Sequence, residues 1–108
     1  MTSPSISVVI PTLDAADEIE PLLDSLEAQS LRPIEIIVVD SESIDGTLLL
    51  AERRSLVNAV GIKKADFNHG STRHMAFAMT RGEFVCFLTQ DAIPINADYL
   101  ANIVDPML

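Results

Sequence analysis

Four apolar runs alternate with polar or amphipathic stretches along the chain. The first, "ISVVIPTL" from Ile6, is almost continuously apolar, which is typical of a strand buried on both faces in a parallel sheet. The runs "IEIIVVD", "NAVGI" and "EFVCFL", at residues 34–40, 58–62 and 83–88, predict three further strands, of which "NAVGI" is the weakest.

The segments between and after these strands are predicted to be helices. Asp17 followed by Glu20 predicts a capping box at the start of the first helix. A short helix is predicted over residues 47–54, a third over residues 74–82 that ends at Gly82, and a fourth that Asn96 caps. The apolar faces of the first and last helices are Ile19, Leu22, Leu23 and Leu26, and Leu100, Ile103, Val104 and Met107.

This β-α-β-α-β-α-β-α order predicts an α/β fold. We expect a three-layer α/β/α arrangement with a mostly parallel sheet and helices on both faces. A chain of 108 residues suits one domain or part of one. Ligands of such open sheets bind beyond the carboxyl ends of the strands.

Charge narrows the possible partners. The net charge of −9, from 16 acidic and 7 basic residues, opposes nucleic-acid binding, which depends on neutralising phosphates. An anionic small ligand would need a metal ion or a local group of cations.

The remaining composition favours a cytoplasmic protein. No apolar run approaches the roughly 20 residues of a membrane span, and the first residues lack the pattern of a signal peptide. Cys86, the single cysteine, has no internal disulfide partner and is predicted to be a buried, inert thiol.

Polar residues cluster where each predicted strand ends, which places four clusters at one rim of the sheet. No phosphate-binding loop of the type G-x-x-x-x-G-K-[ST] and no G-x-G-x-x-G stretch is present. The candidate ligand contacts are Pro11, Thr12, Asp14, Asp40, Ser41, Ser43, Asp45, His69, Arg73, Thr89, Gln90 and Asp91.

Each candidate has a structural alternative. Asp40 can accept hydrogen bonds from a base or from ribose, or it can cap the turn that follows its strand. Asp45 precedes Gly46, so it can contact ligand or cap the next helix. Arg73, predicted at a helix start that favours anions, can bind a diphosphate, or it can be solvated or paired with an acid. The spacing of His69 and His74 from Asp91 matches no metal motif.

Asp91 is the candidate metal ligand. Mg²⁺ and Mn²⁺ take carboxylate and phosphate oxygens, and one protein carboxylate with substrate phosphates commonly holds magnesium. The alternative is an aspartate that only caps the turn before Pro94.

Together these segments resemble the donor-binding half of family 2 glycosyltransferases, which have a nucleotide-diphospho-sugar transferase (GT-A) fold. The matching stretches are "SVVIPTLD", "IIVVDSESIDGT" and "HGSTRHMAFAMTRGEFVCFLTQDAIP". The resemblance implies that Thr12, Asp40 and Asp45 surround the nucleotide, and that Asp91 is the second aspartate of the Asp-x-Asp motif, which holds the metal on the diphosphate. "FNHGSTR" and "FLTQDAIP" resemble the rhamnosyltransferase branch, which uses dTDP-L-rhamnose; dTDP- or UDP-sugars are therefore the expected donors.

The sequence departs from the family pattern in three ways. Thr89 replaces the first aspartate of the motif, so it can bond ribose but cannot share a metal's charge. His74 stands where the family more often has asparagine, and its role is open. Family members also continue beyond Leu108 with the acceptor pocket and the catalytic base.

The resemblance thus implies an inverting transferase acting on a saccharide or lipid-linked acceptor, in cell-surface polysaccharide biosynthesis, with a peripheral position at the inner face of the membrane. We expect residues 1–108 to be its nucleotide-sugar-binding part, truncated at the C-terminus and inactive alone. Truncation would leave "EFVCFL" at a sheet edge and favour self-association. The alternatives are a non-catalytic nucleotide-binding module and an α/β assembly module.

Overall fold

A computed structural model of the chain describes residues 4–94 and 96–105. Its sheet consists of β1 (Ile6–Thr12), β2 (Glu35–Ser41), β3 (Val57–Ile62) and β4 (Phe84–Phe87). The spatial order is β3-β2-β1-β4 and every pairing is parallel. The four predicted strands are therefore present, and β4 lies at an edge of the described sheet.

Within residues 4–94 and 96–105, four α-helices connect and cover the strands. They are α1 (Ala16–Glu27), α2 (Thr47–Glu52), α3 (His69–Met79) and α4 (Tyr99–Val104). A 3₁₀ turn, Lys64–Asp66, follows β3. Helix α2 ends two residues before the predicted end at residue 54.

The core has two parts because both faces of the sheet are covered. On one face α1, α2 and α4 pack on the sheet, and Leu23, Ala51 and Leu100 are fully buried there. On the other face α3 packs on the sheet through Ala76 and the half-buried Met79. The predicted three-layer α/β/α fold is confirmed.

The start of α1 differs from the prediction. Asp17 and Glu20 form no capping box, and the cap residue Ala15 makes no side-chain hydrogen bond. The N–H groups of Ala15 and Ala16 instead donate to Thr47 Oγ1 and Asp45 Oδ2, at 2.9 and 3.0 Å. A neighbouring loop therefore satisfies N–H groups at this helix start that a local cap would otherwise bind.

Helix α3 begins five residues before the predicted start. The side chain of Asn68 accepts hydrogen bonds from the N–H groups of Gly70 and Ser71, at 3.0 and 3.1 Å, and so caps the helix after "FN". The polar stretch "HGSTR" was predicted as loop because it lacks an apolar period. It is helical because Asn68 provides a start and Thr72 and Ala76 provide a buried face.

The helix also ends before Gly82, which was predicted as its stop. The C-cap is Thr80, in extended conformation. A Cβ on Gly82 would lie 2.7 Å from both the N and the Oγ atoms of Ser7, and the N–H of Gly82 donates to Ser7 Oγ at 2.9 Å. Glycine is needed at this position for close approach to β1, not for helix termination.

Asn96 does not cap α4 as predicted. Its Oδ1 accepts a hydrogen bond from the N–H of Asp98 at 2.9 Å, and Asp98 is the cap residue directly before the helix. Leu100 and Val104 are buried as predicted; Met107 lies outside the described residues.

Two expectations from composition can be compared with the structure. Cys86 is half-buried within β4, and burial raises the pKa of its thiol above the ordinary value, which disfavours the reactive thiolate. Among the described residues, the structure has no helix whose length and apolarity would let it cross a membrane.

Candidate functional site

The loops after β1 and β2 are joined by reciprocal hydrogen bonds at the carboxyl rim of the sheet. The N–H of Asp14 donates to Ser43 Oγ at 2.7 Å, and the N–H of Ile44 donates to Asp14 Oδ1 at 3.0 Å. Asp14 adopts a left-handed conformation with φ +47°, which Asn and Asp tolerate better than most residues. Asp14 and Ser43 thus fix the shape of the rim.

Asp40 lies beneath this rim and is nearly inaccessible, with 2% of its surface exposed. Its Oδ1 accepts from Thr12 Oγ1 at 2.7 Å and from Ser43 Oγ at 2.6 Å, and its Oδ2 accepts from the Ser43 N–H at 3.0 Å. The carboxylate therefore caps the turn after β2, which is the structural alternative that its position in sequence leaves open.

Asp45 joins the starts of α1 and α2. It accepts from the hydroxyl and N–H of Thr47 and from the N–H of Ala16. The hydrogen bond from the Thr47 hydroxyl, and then that from Ala16, hold the pKa of Asp45 below its ordinary value.

The segment after β4 is bonded to the loop after β1. The side chain of Gln90 accepts from the Leu13 N–H at 2.8 Å and donates to the Leu13 carbonyl at 3.1 Å. Thr89 Oγ1 donates to Asp91 Oδ1 at 2.8 Å. Residues 77 positions apart in sequence thus form one wall.

A cavity of about 520 Å³ opens between these loops and α3. Its lining contains six of the predicted contacts: Pro11, Thr12, Ser41, Arg73, Thr89 and Gln90. It also contains six residues that sequence reasoning missed as contacts: Leu13, Lys64, Phe67, Thr72, Phe87 and Leu88.

The charge of this cavity is opposite to that of the chain. Lys64 and Arg73 line it, and no carboxylate is among its described lining residues. The Arg73 guanidinium lies over the ring of Phe87, with its carbon 5.5 Å from the ring centre, a cation–π contact. The local group of cations that an anionic ligand requires is therefore present.

Arg73 is positioned differently from the prediction. Because α3 starts at His69, Arg73 lies in the second turn, and Asn68 already bonds N–H groups of the first turn. Its place in the cavity wall comes from the face of α3 it occupies and not from the helix start. The side chain of His69 lies outside what the structure describes.

The sequence contained a signal for Lys64, which was not predicted as a ligand contact. Lys63 and Lys64 directly follow β3, at the same carboxyl rim as the other candidates, and the net charge already demanded a cation there. The apolar lining residues had no such signal, because Phe87 and Leu88 are indistinguishable from core residues of a strand.

Four predicted contacts stand apart from the cavity lining: Asp14, Asp40, Ser43 and Asp45 bond the loops to one another. Asp91 lines a second hollow of about 390 Å³, together with Asp17 and Glu18. Gln90 lines both spaces and separates them. Lys64 and Arg73 thus line the first space, and Asp17, Glu18 and Asp91 line the second.

The described residues contain no group of three or more His, Cys, Asp or Glu side chains that could hold a metal ion by themselves. A metal that is held mainly by substrate phosphates needs fewer protein ligands, and one carboxylate is common in such sites. The carboxylate of Asp91 bonds Thr89 through Oδ1 and leaves Oδ2 without a hydrogen bond from a described residue. Asp91 therefore fits the role of one protein ligand to a metal that substrate phosphates also bind. It does not form a complete metal site by itself.

The geometry defines a class of site: a largely apolar cavity with two cations, at the carboxyl rim of a parallel sheet. Apolar walls suit the rings of a nucleoside or sugar, and cations suit phosphates. Such a site is typical of α/β proteins that bind nucleotides.

The comparisons with known proteins specify the family. Residues 7–108 match the family described as Glycosyl transferase family 2. The chain belongs to this family.

Three similar proteins illustrate the relationship. O-antigen chain rhamnosyltransferase RfbN of Salmonella typhimurium is 38% identical over 108 residues, which are 95% of this chain and 34% of that protein. The mannosyltransferase PcManGT from Pyrobaculum calidifontis, solved in complex with GDP-Man and Mn²⁺, superposes with a TM-score of 0.82 at 30% identity, over 95% of this chain and 32% of its own. TarS 1-349 of Staphylococcus aureus, solved with UDP-GlcNAc, gives 0.77 at 32% identity, over 94% and 31%.

These neighbours confirm the GT-A fold, and the chain spans about a third of the length of the relatives it matches.

Proposed function

We propose that residues 1–108 are the nucleotide-sugar-binding part of a glycosyltransferase that transfers a sugar to an acceptor hydroxyl with inversion. The observation that carries this proposal is the cavity at the carboxyl rim. Its described lining residues include two cations and no carboxylate around an apolar space, in a chain of net charge −9. Membership of family 2 supports it.

The cavity-lining residues divide into two roles. Arg73 contacts the diphosphate, because its planar guanidinium is held over Phe87 and bonds no described carboxylate. Pro11, Thr12, Ser41, Thr89 and Gln90 contact the nucleoside and the sugar.

The aspartates of the two loops act through their hydrogen bonds to the loops. Asp40 and Asp45 hold the loops after β1 and β2 in the shape that receives the nucleotide, and Asp14 and Ser43 lock these two loops together. His69 remains a proposed contact from the sequence alone.

Asp91 is the proposed ligand of Mg²⁺ or Mn²⁺. The metal, shared with the donor, would stabilise negative charge on the leaving diphosphate. The complex of the Pyrobaculum mannosyltransferase with Mn²⁺ supports a divalent ion in this fold. Thr89 donates a hydrogen bond to Asp91. A carboxylate in the place of Thr89 would add negative charge to the metal site.

The donor is a dTDP- or UDP-sugar, with rhamnose as the transferred sugar. The similarity to the O-antigen chain rhamnosyltransferase supports rhamnose. The full-length enzyme acts in the cytoplasm at the inner face of the membrane, on a saccharide or lipid-linked acceptor in polysaccharide biosynthesis. The acceptor pocket and the base that removes the acceptor proton lie outside residues 1–108, so this chain alone is inactive.

Calorimetric titration of the chain with dTDP and UDP, with and without MnCl₂, tests this proposal. We expect binding of one nucleotide, strengthened by Mn²⁺, and a preference for dTDP if rhamnose is the sugar. The variant Asp91→Asn should lose only the Mn²⁺-dependent gain, while Asp17→Asn, in the same hollow, should retain it.

Failure of both nucleotides to bind to a chain shown to be folded by circular dichroism would refute the donor site. Equal Mn²⁺ dependence in the parent and Asp91→Asn would refute the metal assignment alone.

A further inference from the structure

Lys64 is a second cation of the cavity, and neither the sequence pattern nor the family resemblance assigned it a role. It begins the 3₁₀ turn after β3 and is exposed. It lines the same cavity as Arg73, which projects from α3. The two cations therefore reach one space from two different elements.

Neither cation forms an ion pair with a carboxylate of the described residues. The ion pairs of the described residues involve Arg54 and Arg81, not Lys64 or Arg73. A lysine or arginine that lines a cavity and has no carboxylate partner is available to an anionic ligand.

The backbone of Lys64 is fixed by the loop after β2. Its N–H donates to Glu42 Oε1 at 2.8 Å, and Glu42 adopts a left-handed conformation with φ +54°. Such a conformation is unfavourable for a residue other than glycine and persists where surrounding contacts enforce it. The bond thus ties the lysine-bearing turn to the rim that Asp40 and Ser43 shape.

We propose that Lys64 is a specificity-determining residue that binds the diphosphate together with Arg73, so that the site distinguishes nucleoside diphosphates from monophosphates. Glu42 is the positioning residue that holds Lys64 at the cavity. This inference rests on the proposed donor site and adds to it a second cationic contact. Two phosphoryl groups can engage both cations, whereas a single phosphoryl group engages fewer contacts.

The adjacent lysine provides a matched control. Lys63 is also exposed and carries the same charge, but it is not among the described lining residues of the cavity. Lys64→Gln and Lys63→Gln therefore change the net charge of the chain equally and differ only in their position relative to the cavity.

The experiment is a titration of the parent chain and both variants with dTDP, dTMP and inorganic pyrophosphate at two salt concentrations. We expect Lys64→Gln to weaken dTDP and pyrophosphate about tenfold, as for loss of one charged contact, and dTMP by less than threefold. Its dTDP affinity should also fall less with added salt, because one screened attraction is missing. Lys63→Gln should match the parent within about twofold.

Variants of Glu42 distinguish a positioning role from a general effect of its negative charge. Removing an acidic charge near the cavity would by itself strengthen anion binding, but a positioning role requires Glu42→Ala to weaken dTDP. Glu42→Gln, which retains a side-chain oxygen acceptor, should preserve the selectivity for dTDP over dTMP.

The outcomes distinguish the two proposals. If the parent binds dTDP and Lys64→Gln binds it equally well, the role of Lys64 is overturned and the donor site stands. If the parent binds pyrophosphate through Lys64 but no nucleotide, the cationic site stands and the nucleotide proposal fails. If the parent binds none of the three ligands, both fail.

Discussion

At the scale of single residues, two aspartates of the rim accept hydrogen bonds from backbone N–H groups. Asp45 accepts hydrogen bonds from two helix starts, and Asp14 accepts one from the loop after β2. N–H groups at a helix start have no partner within the helix and favour negative charge. Acidic side chains are therefore stabilised here although the chain as a whole is strongly acidic.

Asp45→Asn should lower the midpoint of thermal unfolding at pH 7. The amide keeps one oxygen acceptor but presents an NH₂ group where the second carboxylate oxygen accepts, which opposes the N–H of Ala16 or Thr47. The pKa of Asp45 is lowered in the folded protein, so its stabilisation is present above the unfolded pKa and is lost as the pH falls through the folded one.

The difference in unfolding midpoint between Asp45→Asn and the parent should accordingly be full at pH 7 and shrink below about pH 4. Asp66→Asn removes an exposed carboxylate that has no side-chain hydrogen bond among those described, and it provides the control for charge alone. A pH-independent difference for Asp45→Asn would contradict the proposed cause.

At the scale of elements, helix α3 both packs on the sheet and forms part of the cavity wall. Its buried side packs Ala76 and the half-buried Met79 on the sheet, and Thr72 and Arg73 from the same helix line the cavity. The helix starts directly after Asn68 because one side-chain oxygen of this residue bonds two N–H groups. The position of Arg73 therefore depends on a cap five residues away.

Asn68→Ala should lower the free energy of unfolding by about 1 kcal/mol, the usual contribution of such a cap. Denaturant titration measures this change. Asn68→Asp keeps the oxygen acceptor and adds a favourable charge at the helix start, so it should retain the stability of the parent. An equal loss in both variants would show that the cap is not the cause.

At the scale of the whole molecule, the sheet ends at β4 on one side. Among the described residues β4 pairs only with β1. The N–H of Phe84 donates to the carbonyl of Ser5, directly before β1, and the N–H of Leu88 donates to the carbonyl of Val9 in β1. N–H groups alternate in direction along a strand. The N–H of Val85 therefore points to the open edge, where an unpaired strand favours association with another chain.

We expect the chain to self-associate through this edge in a concentration-dependent manner, as multi-angle light scattering would detect. Val85→Pro removes an outward N–H without removing a donor to β1, so it should reduce the association. Circular dichroism of the variant verifies that the sheet is intact. A parent chain that is monomeric at every concentration would contradict this expectation.

The sequence by itself determined the α/β class, the order of the elements and the rim where the site lies. Continuous apolar runs require burial on both faces of a strand, and parallel pairing brings all strand ends to one rim. The stretches around Thr12, Asp40 and Asp91 were sufficient to identify the family. These features are encoded locally, in apolar period and in short motifs.

Only the tertiary structure decided which rim residues line the cavity. Asp40 and Thr89 look alike as polar strand ends, yet one lies under the loops and the other faces the open space, because loop packing sets accessibility. Lys64 and Arg73 line one cavity because folding places the turn after β3 and helix α3 around the same space as the ends of β1 and β4. Local patterns specify elements; contacts between residues distant in the chain specify what a ligand can touch.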